Sequence, residues 1–385
     1  MMSIIVIMQF MGLDLLGFIT KADSIIYGTL YNSNYVGSYL SLTLPLIIYN
    51  HEYNANRLVY CLLLLLNILA LIMSNSRSSL IAIVIGCIFM VIYERNRFIN
   101  ILNAFLTYVL CIFVLGVVYG YGGDSNYKLR SVVADDVKIT IGSVESLKGI
   151  DVKGNEIQLK FNSGVDNIKL DGDKLLINKE VVQLKNNIKY NKLLRDYIIL
   201  EVDNIDGNYI IRFSYKGTKR YKNDKLSYIY IGNEFKYLIR DMYICDIEDM
   251  NNRYLGHIGS GRFYIWFNSV KLIKDSIFKG YGADTFALHF NQYDLSNKFV
   301  YLYTPYILVD KPHNVYIKIA IENGLIGLVG LLLYIYYIVK NSENKMGLKY
   351  AVISYLVCSL FNDWSIGVTI LLWVYLGVLS RYTKD

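Results

Sequence analysis

Charge is scarce over much of this 385-residue chain. Residues 1–120 hold 4 acids and 5 bases, and residues 313–385 hold 4 acids and 6 bases. Tyr121–Pro312 holds 24 acids and 28 bases, which is 52 of the 71 charged side chains. Two wings this poor in charge exclude a single soluble globule, because they lack the polar side chains to cover their own surface. Proline is scarce too, with 3 residues against 36 tyrosines. The 5 cysteines are Cys61, Cys87, Cys111, Cys245 and Cys358. Four lie inside apolar runs and none has metal-ligand spacing, so neither a zinc site nor a disulfide framework is indicated. No short signal peptide with a small-residue cleavage site precedes a hydrophilic body. The abundant classes, aromatic and β-branched, exclude disorder. The net charge of +7 is spread along the chain, +4 of it in the central half, which offers no basic patch for nucleic acid.

The wings read as membrane. A hydrocarbon core of ~30 Å needs roughly 17–25 apolar residues per helix. The candidates are Asn34–Tyr49, Leu58–Met73, Ser79–Tyr93, Phe98–Tyr119, Val315–Val339, Leu348–Phe361 and Ile366–Leu379. Met1–Met11 reads as the stump of a further helix. Lys and Arg in short loops mark the cytoplasmic side. Placing Arg57, Arg95 with Arg97, the Lys340–Lys349 loop and the Arg381–Lys384 tail there puts Gly12–Ser33, the Ser74–Ser78 turn, the whole central block and Asn362–Ser365 outside.

From about Val137 to Gly232 polar and apolar residues alternate with period two, as in strands. Ile157–Phe161, Ile168–Leu170, Lys174–Ile177, Tyr197–Val202, Tyr209–Tyr215 and Ser227–Ile231 are expected strands, with Val137–Ile141 before them. Glycine turns separate them, including Lys153-Gly154-Asn155, Asp171-Gly172-Asp173, Asp206-Gly207-Asn208 and Lys216-Gly217-Thr218. A small β-sandwich or roll is expected, with exposed tyrosines suited to sugars or with a passive role. After Asp241 the texture changes. Gly259–Trp266 opens a helix running through Lys274, with an apolar side suited to the bilayer interface. The expected organisation is 1–120 membrane helices, 121–250 β-rich insertion, 251–312 interfacial loop and 313–385 membrane helices.

Polar features gather at the edges of these segments. Arg77 sits among hydroxyls in Ser74–Ser79, on the side where positive charge is scarce. A snorkelling arginine is the plain alternative. Arg262 follows Gly-Ser-Gly, which lets backbone approach a ligand, and its planar fork suits phosphate oxygens. His313 follows Pro312 and reads as the first turn of a helix, with an imidazole suited to take a proton near neutral pH. One turn further in, Lys318 and Glu322 stand four apart in an apolar run. Ionisable groups at that depth face each other or a cavity.

The ordered set resembles the O-antigen ligase / O-antigen polymerase family of polytopic membrane glycosyltransferases. The residues that carry the resemblance are Gly28–Asn34, Ser74–Ser79 with Arg77, Gly259–Trp266 with Arg262, Gly280-Tyr281-Gly282 with Asp284-Thr285-Phe286, and Lys311–Tyr316 with Gly324 following. The resemblance covers about 28–120 and 259–380 and leaves the β-rich insertion unmatched. It implies a GT-C-like α-helical membrane protein with a large extracytoplasmic loop, in the bacterial cell membrane. It also implies transfer of glycan from an undecaprenyl-diphosphate carrier to a hydroxyl of a glycan or lipid acceptor, among membrane lipids, without cofactor or metal. Arg77 and Arg262 would neutralise the diphosphate, and His313 would act as general base in an inverting displacement. Asn314 would orient the histidine or bind sugar, and Lys318, Glu322, Gly280 and Gly282 would line the substrate site. Family members have more helices before this point, so an N-terminally shortened chain is expected. The large insertion points to an acceptor other than lipopolysaccharide. A composition rich in Lys, Asn, Ile and Tyr fits a low-GC, Gram-positive bacterium without a lipid A core, for which polymerisation of a capsular or wall polysaccharide is expected over ligation. A transporter of lipid-linked glycans and a membrane sensor with an extracellular β domain are the rival readings.

Overall fold

The computed structural model describes residues 1–13, 28–50, 57–120, 147–178, 180–184, 189–195, 197–205, 208–216, 224–240, 243–245, 261–342 and 346–383. The expected strand Val137–Ile141, the turn at Gly207, and Gly217, Gly259 and Ser260 lie outside the described residues. The chain divides into two compact units. The first comprises Met1–Gly142, Ile277–Gly280 and His313–Asp385, and the second Ser143–Ser276 and Tyr281–Pro312.

The helices of the first unit are α1 (Met2–Phe10), α2 (Ser33–Tyr49), α3 (Arg57–Ser74), α4 (Arg77–Tyr93) and α5 (Phe98–Gly120). After the intervening segments come α9 (Val315–Asn341), α10 (Met346–Cys358) and α11 (Ile366–Ser380). All seven expected apolar segments form helices, Leu348–Phe361 only as far as Cys358. Among the described residues three spans are long and apolar enough to cross a membrane: Arg57–Ser74, Arg95–Leu115 and Val315–Asn341. The others lie at or below the short limit for a span, with 17 residues in α2 and α4, 13 in α10 and 15 in α11. Their close packing explains the buried share of their sides: Val36, Leu40, Leu44, Tyr60, Leu64, Ile83 and Tyr350 form one core, and Leu42, Ile335, Val352, Leu372 and Leu376 another.

Small side chains set how near these helices come. A Cβ on Gly37 would lie 2.2 Å from Ser76 Oγ, and one on Gly86 would lie 3.0 Å from Ser354 Cβ. Leucine or isoleucine at either place would push α2 or α10 off α4.

Polar groups collect at the two ends of α4, which its 17 residues separate by ~25 Å. At the C-terminal end Arg97 is buried, reaches Glu94 at 3.5 Å and lies 4.6 Å from the centre of the Tyr49 ring. Arg97 is therefore not a simple solvated flank charge beside Arg95, because a ring face and a carboxylate enclose it. The N-terminal end carries the candidate site.

The second unit holds two antiparallel sheets, both plain meanders. One runs in the order β1 (Leu147–Lys153), β2 (Glu156–Phe161), β3 (Val165–Asp171), β4 (Lys174–Ile177) and β5 (Glu180–Gln183). The other runs from β6 (Tyr190–Leu194) through β7 (Ile198–Ile205), β8 (Asn208–Tyr215), β9 (Leu226–Ile231) and β10 (Glu234–Ile239) to β11 (Tyr243–Cys245). Eleven strands among the described residues exceed the expected seven. The extra ones, such as Glu180–Gln183, are short or weakly alternating, so periodicity could not find them. Gly154 and Gly172 take φ of +55° in the turns read from sequence, where a side chain would be strained. Gly232 and Asn233 both take positive φ between β9 and β10, the conformation a two-residue hairpin needs.

Three helices complete the unit: α6 (Arg262–Asp275), α7 (Phe286–His289) and α8 (Leu295–Leu302). Some of the strand tyrosines expected on the surface instead face inward and hold α8. Tyr228 and Tyr237 are buried and bond Ser296 Oγ at 2.7 and 2.6 Å, and Tyr301 donates to Lys148 O at 3.1 Å.

Candidate functional site

The first unit gathers its chemistry where α2, α4, α9 and α10 end or begin. α9 starts at Val315 because Asn314 caps it: Asn314 Oδ1 accepts from the backbone N–H of Tyr316 at 3.0 Å and of Ile317 at 3.1 Å. These would otherwise be orphan donors. His313 therefore lies outside the helix rather than in its first turn, with φ of +53°. The cap residue, not Pro312, sets the start. Asn314 is buried and its oxygen is committed to the cap, so that atom neither orients the histidine nor is open to a sugar.

The partner of His313 is Asp363, a residue that sequence reading passed over as part of a turn. Nδ1 of His313 donates to Asp363 Oδ2 at 2.8 Å. The carboxylate side chain is 5% exposed and the imidazole 38%. A carboxylate on Nδ1 holds the proton there, which leaves the Nε2 lone pair as the acceptor position.

Asp363 is held in turn by its neighbours. Asn362 Nδ2 donates to Ser78 Oγ at 2.9 Å, to Ser38 Oγ at 3.2 Å and to Cys358 Sγ at 3.2 Å. One amide thus ties together α4, α2 and the end of α10. Trp364 Nε1 donates to Ser359 Oγ at 2.9 Å, which fixes the turn from the other side. Arg77 is the first residue of α4, exposed, and precedes the Ser78 that Asn362 holds. Arg77 and His313 are consequently linked through Ser78, Asn362 and Asp363 at one end of the first unit. A pair of polar residues between two apolar helices, Asn362-Asp363, was the only sequence signal, and it names no partner.

Lys318 Nζ stands 3.8 Å from Glu322 Oε1, with the carboxylate side chain 8% exposed. Both line a cavity of about 410 Å³ together with Val315, Ile319, Asn323, Gly327, Leu331, Trp364 and Trp373. α9 breaks beyond this point. Gly324 has φ 74° and ψ 170°, and Leu325 N–H donates to Ile277 O at 2.7 Å, outside the helix. The segment Ile277–Gly280 fills the break: a Cβ on Gly280 would meet Glu322 O at 2.3 Å, and one on Gly324 would meet Phe278 O at 2.5 Å. Gly280 is therefore a backbone-packing residue against α9, where nothing larger fits.

In the second unit Arg262 is the first residue of α6, after Gly261 at φ +83°. Gly261 has no room for a side chain, since a Cβ would meet Tyr301 O at 2.7 Å. Trp266 Nε1 donates to Pro312 O at 2.7 Å. The same unit buries an ionisable cluster. Tyr264 donates to Asp294 Oδ2 at 3.0 Å, and Asp294 caps α8 through the Asn297 N–H. Burial pushes the Asp294 carboxyl up to about 6 and the Tyr264 hydroxyl well above its ordinary range. Lys298 donates to the carbonyls of Gln292 and Ile307, both at 2.8 Å, and burial lowers its ammonium to about 8. Gly282 takes φ +105° and its carbonyl accepts from Thr285 Oγ1 at 2.8 Å, so it shapes a tight turn.

The protein family described as O-antigen ligase matches residues 226–332, which bears out the family resemblance. The match takes in residues 226–250, which were expected to belong to an unmatched insertion, and does not reach the Gly28–Asn34 or Ser74–Ser79 motifs. The match includes Arg262, Gly280, Gly282, His313, Asn314, Lys318 and Glu322, and stops short of Asp363. No curated protein and no solved structure matches the chain.

Proposed function

With an O-antigen ligase region at residues 226–332 as premise, we propose that this is a membrane glycosyltransferase of the bacterial cell envelope. It joins a glycan carried on undecaprenyl diphosphate to an acceptor hydroxyl at the outer face of the cell membrane. The observation that carries the reading is the His313–Asp363 pair at 2.8 Å, whose imidazole belongs to the matched region.

His313 Nε2 takes the proton of the acceptor hydroxyl, and Asp363 stabilises the imidazolium that forms. The acceptor oxygen attacks the anomeric carbon, the bond to the diphosphate oxygen breaks, and the configuration inverts. The diphosphate leaves with increased negative charge, which arginine neutralises through paired N–H donors. Arg262 and Arg77 are assigned to that charge. Lys318 and Glu322 contact the glycan, while Asn314, Gly280 and Gly282 hold the backbone that carries these groups. The chain polymerises a surface polysaccharide, with the β-rich unit on the outer side.

The test replaces His313 with Ala, Arg262 with Ala and Asp363 with Asn, one at a time, at matched expression. Surface polysaccharide should shorten or vanish and lipid-linked glycan should accumulate, with a loss of ~10²–10⁴-fold for His313→Ala. Normal polymer from both His313→Ala and Arg262→Ala would sink the assignment.

A further inference from the structure

The cavity between α9 and α11 has a lining that a membrane-facing void does not need. A second cavity in the first unit, about 670 Å³ among α2–α5, is walled almost wholly by hydrocarbon side chains. The one beside α9 instead carries an ammonium, a carboxylate, an amide and two indoles: Lys318, Glu322, Asn323, Trp364 and Trp373. The two indole rings stand 6.2 Å apart at 86°, forming a corner, and Trp364 is fixed by its bond to Ser359. Gly327 leaves room for Asn323 on the same helix, since a Cβ there would lie 2.8 Å from Asn323 Cβ.

We propose that this cavity is a saccharide subsite that seats one neutral glycosyl unit of the substrate, with its C–H face on an indole and its hydroxyls on Glu322, Lys318 and Asn323. Several features support a sugar over other occupants. The volume of about 410 Å³ lies in the ordinary range for small-molecule sites. Pyranose rings present apolar C–H faces that lie against aromatic rings, and hydroxyls that pair with both charged and amide groups. The lining holds one cation and one anion in mutual contact, so its charge cancels. That balance disfavours a diphosphate or another strongly anionic group. Trp364 directly follows Asp363 and Val315 lies two residues after His313, so the cavity shares its wall with the turn that holds the imidazole. The inference rests on the glycosyltransferase reading and adds the residues that select the sugar.

Intrinsic fluorescence reads the cavity, because it holds two of the chain's 3 tryptophans. The full chain in detergent micelles is titrated with chitobiose and cellobiose, and with glucuronic acid as the charged comparison. A saturable emission change is expected with at least one neutral disaccharide, in the millimolar range, and a weaker one with glucuronic acid. Trp373→Ala and Glu322→Gln should each weaken binding by about tenfold or more, while Trp373→Phe, which keeps an aromatic face, should stay near wild type. Size-exclusion profile and circular dichroism check folding; Trp373→Phe and Glu322→Gln carry the test if Trp373→Ala does not fold. His313→Ala should still bind the disaccharide while losing polymer formation, so failure of the catalytic reading and failure of the subsite are distinguishable. No saturable response to either neutral disaccharide would overturn the proposal. So would unchanged affinity in both Trp373→Ala and Glu322→Gln. A response to phosphatidylglycerol-containing micelles with none to sugar would make the cavity a lipid site and also overturn it.

Discussion

Asp363 and Asp294 show how the same side chain is put to two uses by what surrounds it. Asp363 faces a histidine with 38% of its side chain exposed, so its charge has a partner that can itself become charged. Asp294 faces a tyrosine and an asparagine in a buried pocket, so its charge is costly and the proton is held. This has a pH consequence whose sign is fixed. The folded-state value of about 6 lies above the ordinary 3.8, so the folded chain keeps a proton that the unfolded chain has lost. The stabilisation is fully present below about pH 4 and is lost as pH rises through 6, amounting to about 3 kcal/mol. Between pH 4 and pH 7 wild type should therefore lose stability relative to Asp294→Asn, which keeps an oxygen for the cap. Unfolding midpoints of the two proteins across that range check it, and parallel curves would refute it.

α9 is the element on which most of the proposed chemistry depends, and it is two helices joined at a break. Asn314 fixes its start, Gly324 interrupts it, and the Ile277–Gly280 segment supplies the carbonyl that the break leaves wanting. Glu322 and Asn323, at the end of the first half, are thereby set against the cavity instead of continuing a regular apolar face. Gly324→Ala places a Cβ 2.5 Å from Phe278 O in backbone that side chains rarely adopt. A loss on the order of 2–4 kcal/mol is expected. Gly330→Ala, whose Cβ would meet nothing within 4 Å, is the matched control and should be near neutral. Thermal unfolding and the yield of monodisperse protein in detergent separate them. Equal behaviour of the two variants would show that the break is not a packed feature.

At the scale of the whole chain, the division first visible as charge becomes a division of labour. Glycan transfer is assigned largely to the charge-poor wings, and the charge-rich part to two meandering sheets with tyrosines turned inward to hold α8. The proposed topology is open to direct labelling. In a background with the native cysteines replaced, Asn75→Cys and Asn162→Cys should react with an impermeant maleimide in intact cells, and Asn96→Cys only after permeabilisation. Labelling of Asn96→Cys in intact cells would reverse the orientation. Much of the helical layout was legible beforehand, because runs such as Phe98–Tyr119 leave no other way to satisfy the backbone in an apolar setting. The glycine turns at Gly154 and Gly172 were legible for a similar local reason. Strands such as Glu180–Gln183 were not, since four residues carry too little period. The candidate residues Arg77, His313, Lys318 and Glu322 could be named from type and position, because charge inside apolar sequence is conspicuous. Their partners could not. Asp363 lies 50 positions from His313, and Ser78 lies 284 from Asn362. Local chemistry is written in the order of residues, but contacts across such distances exist only once the helices have packed, and packing is decided by the shapes of many side chains at once.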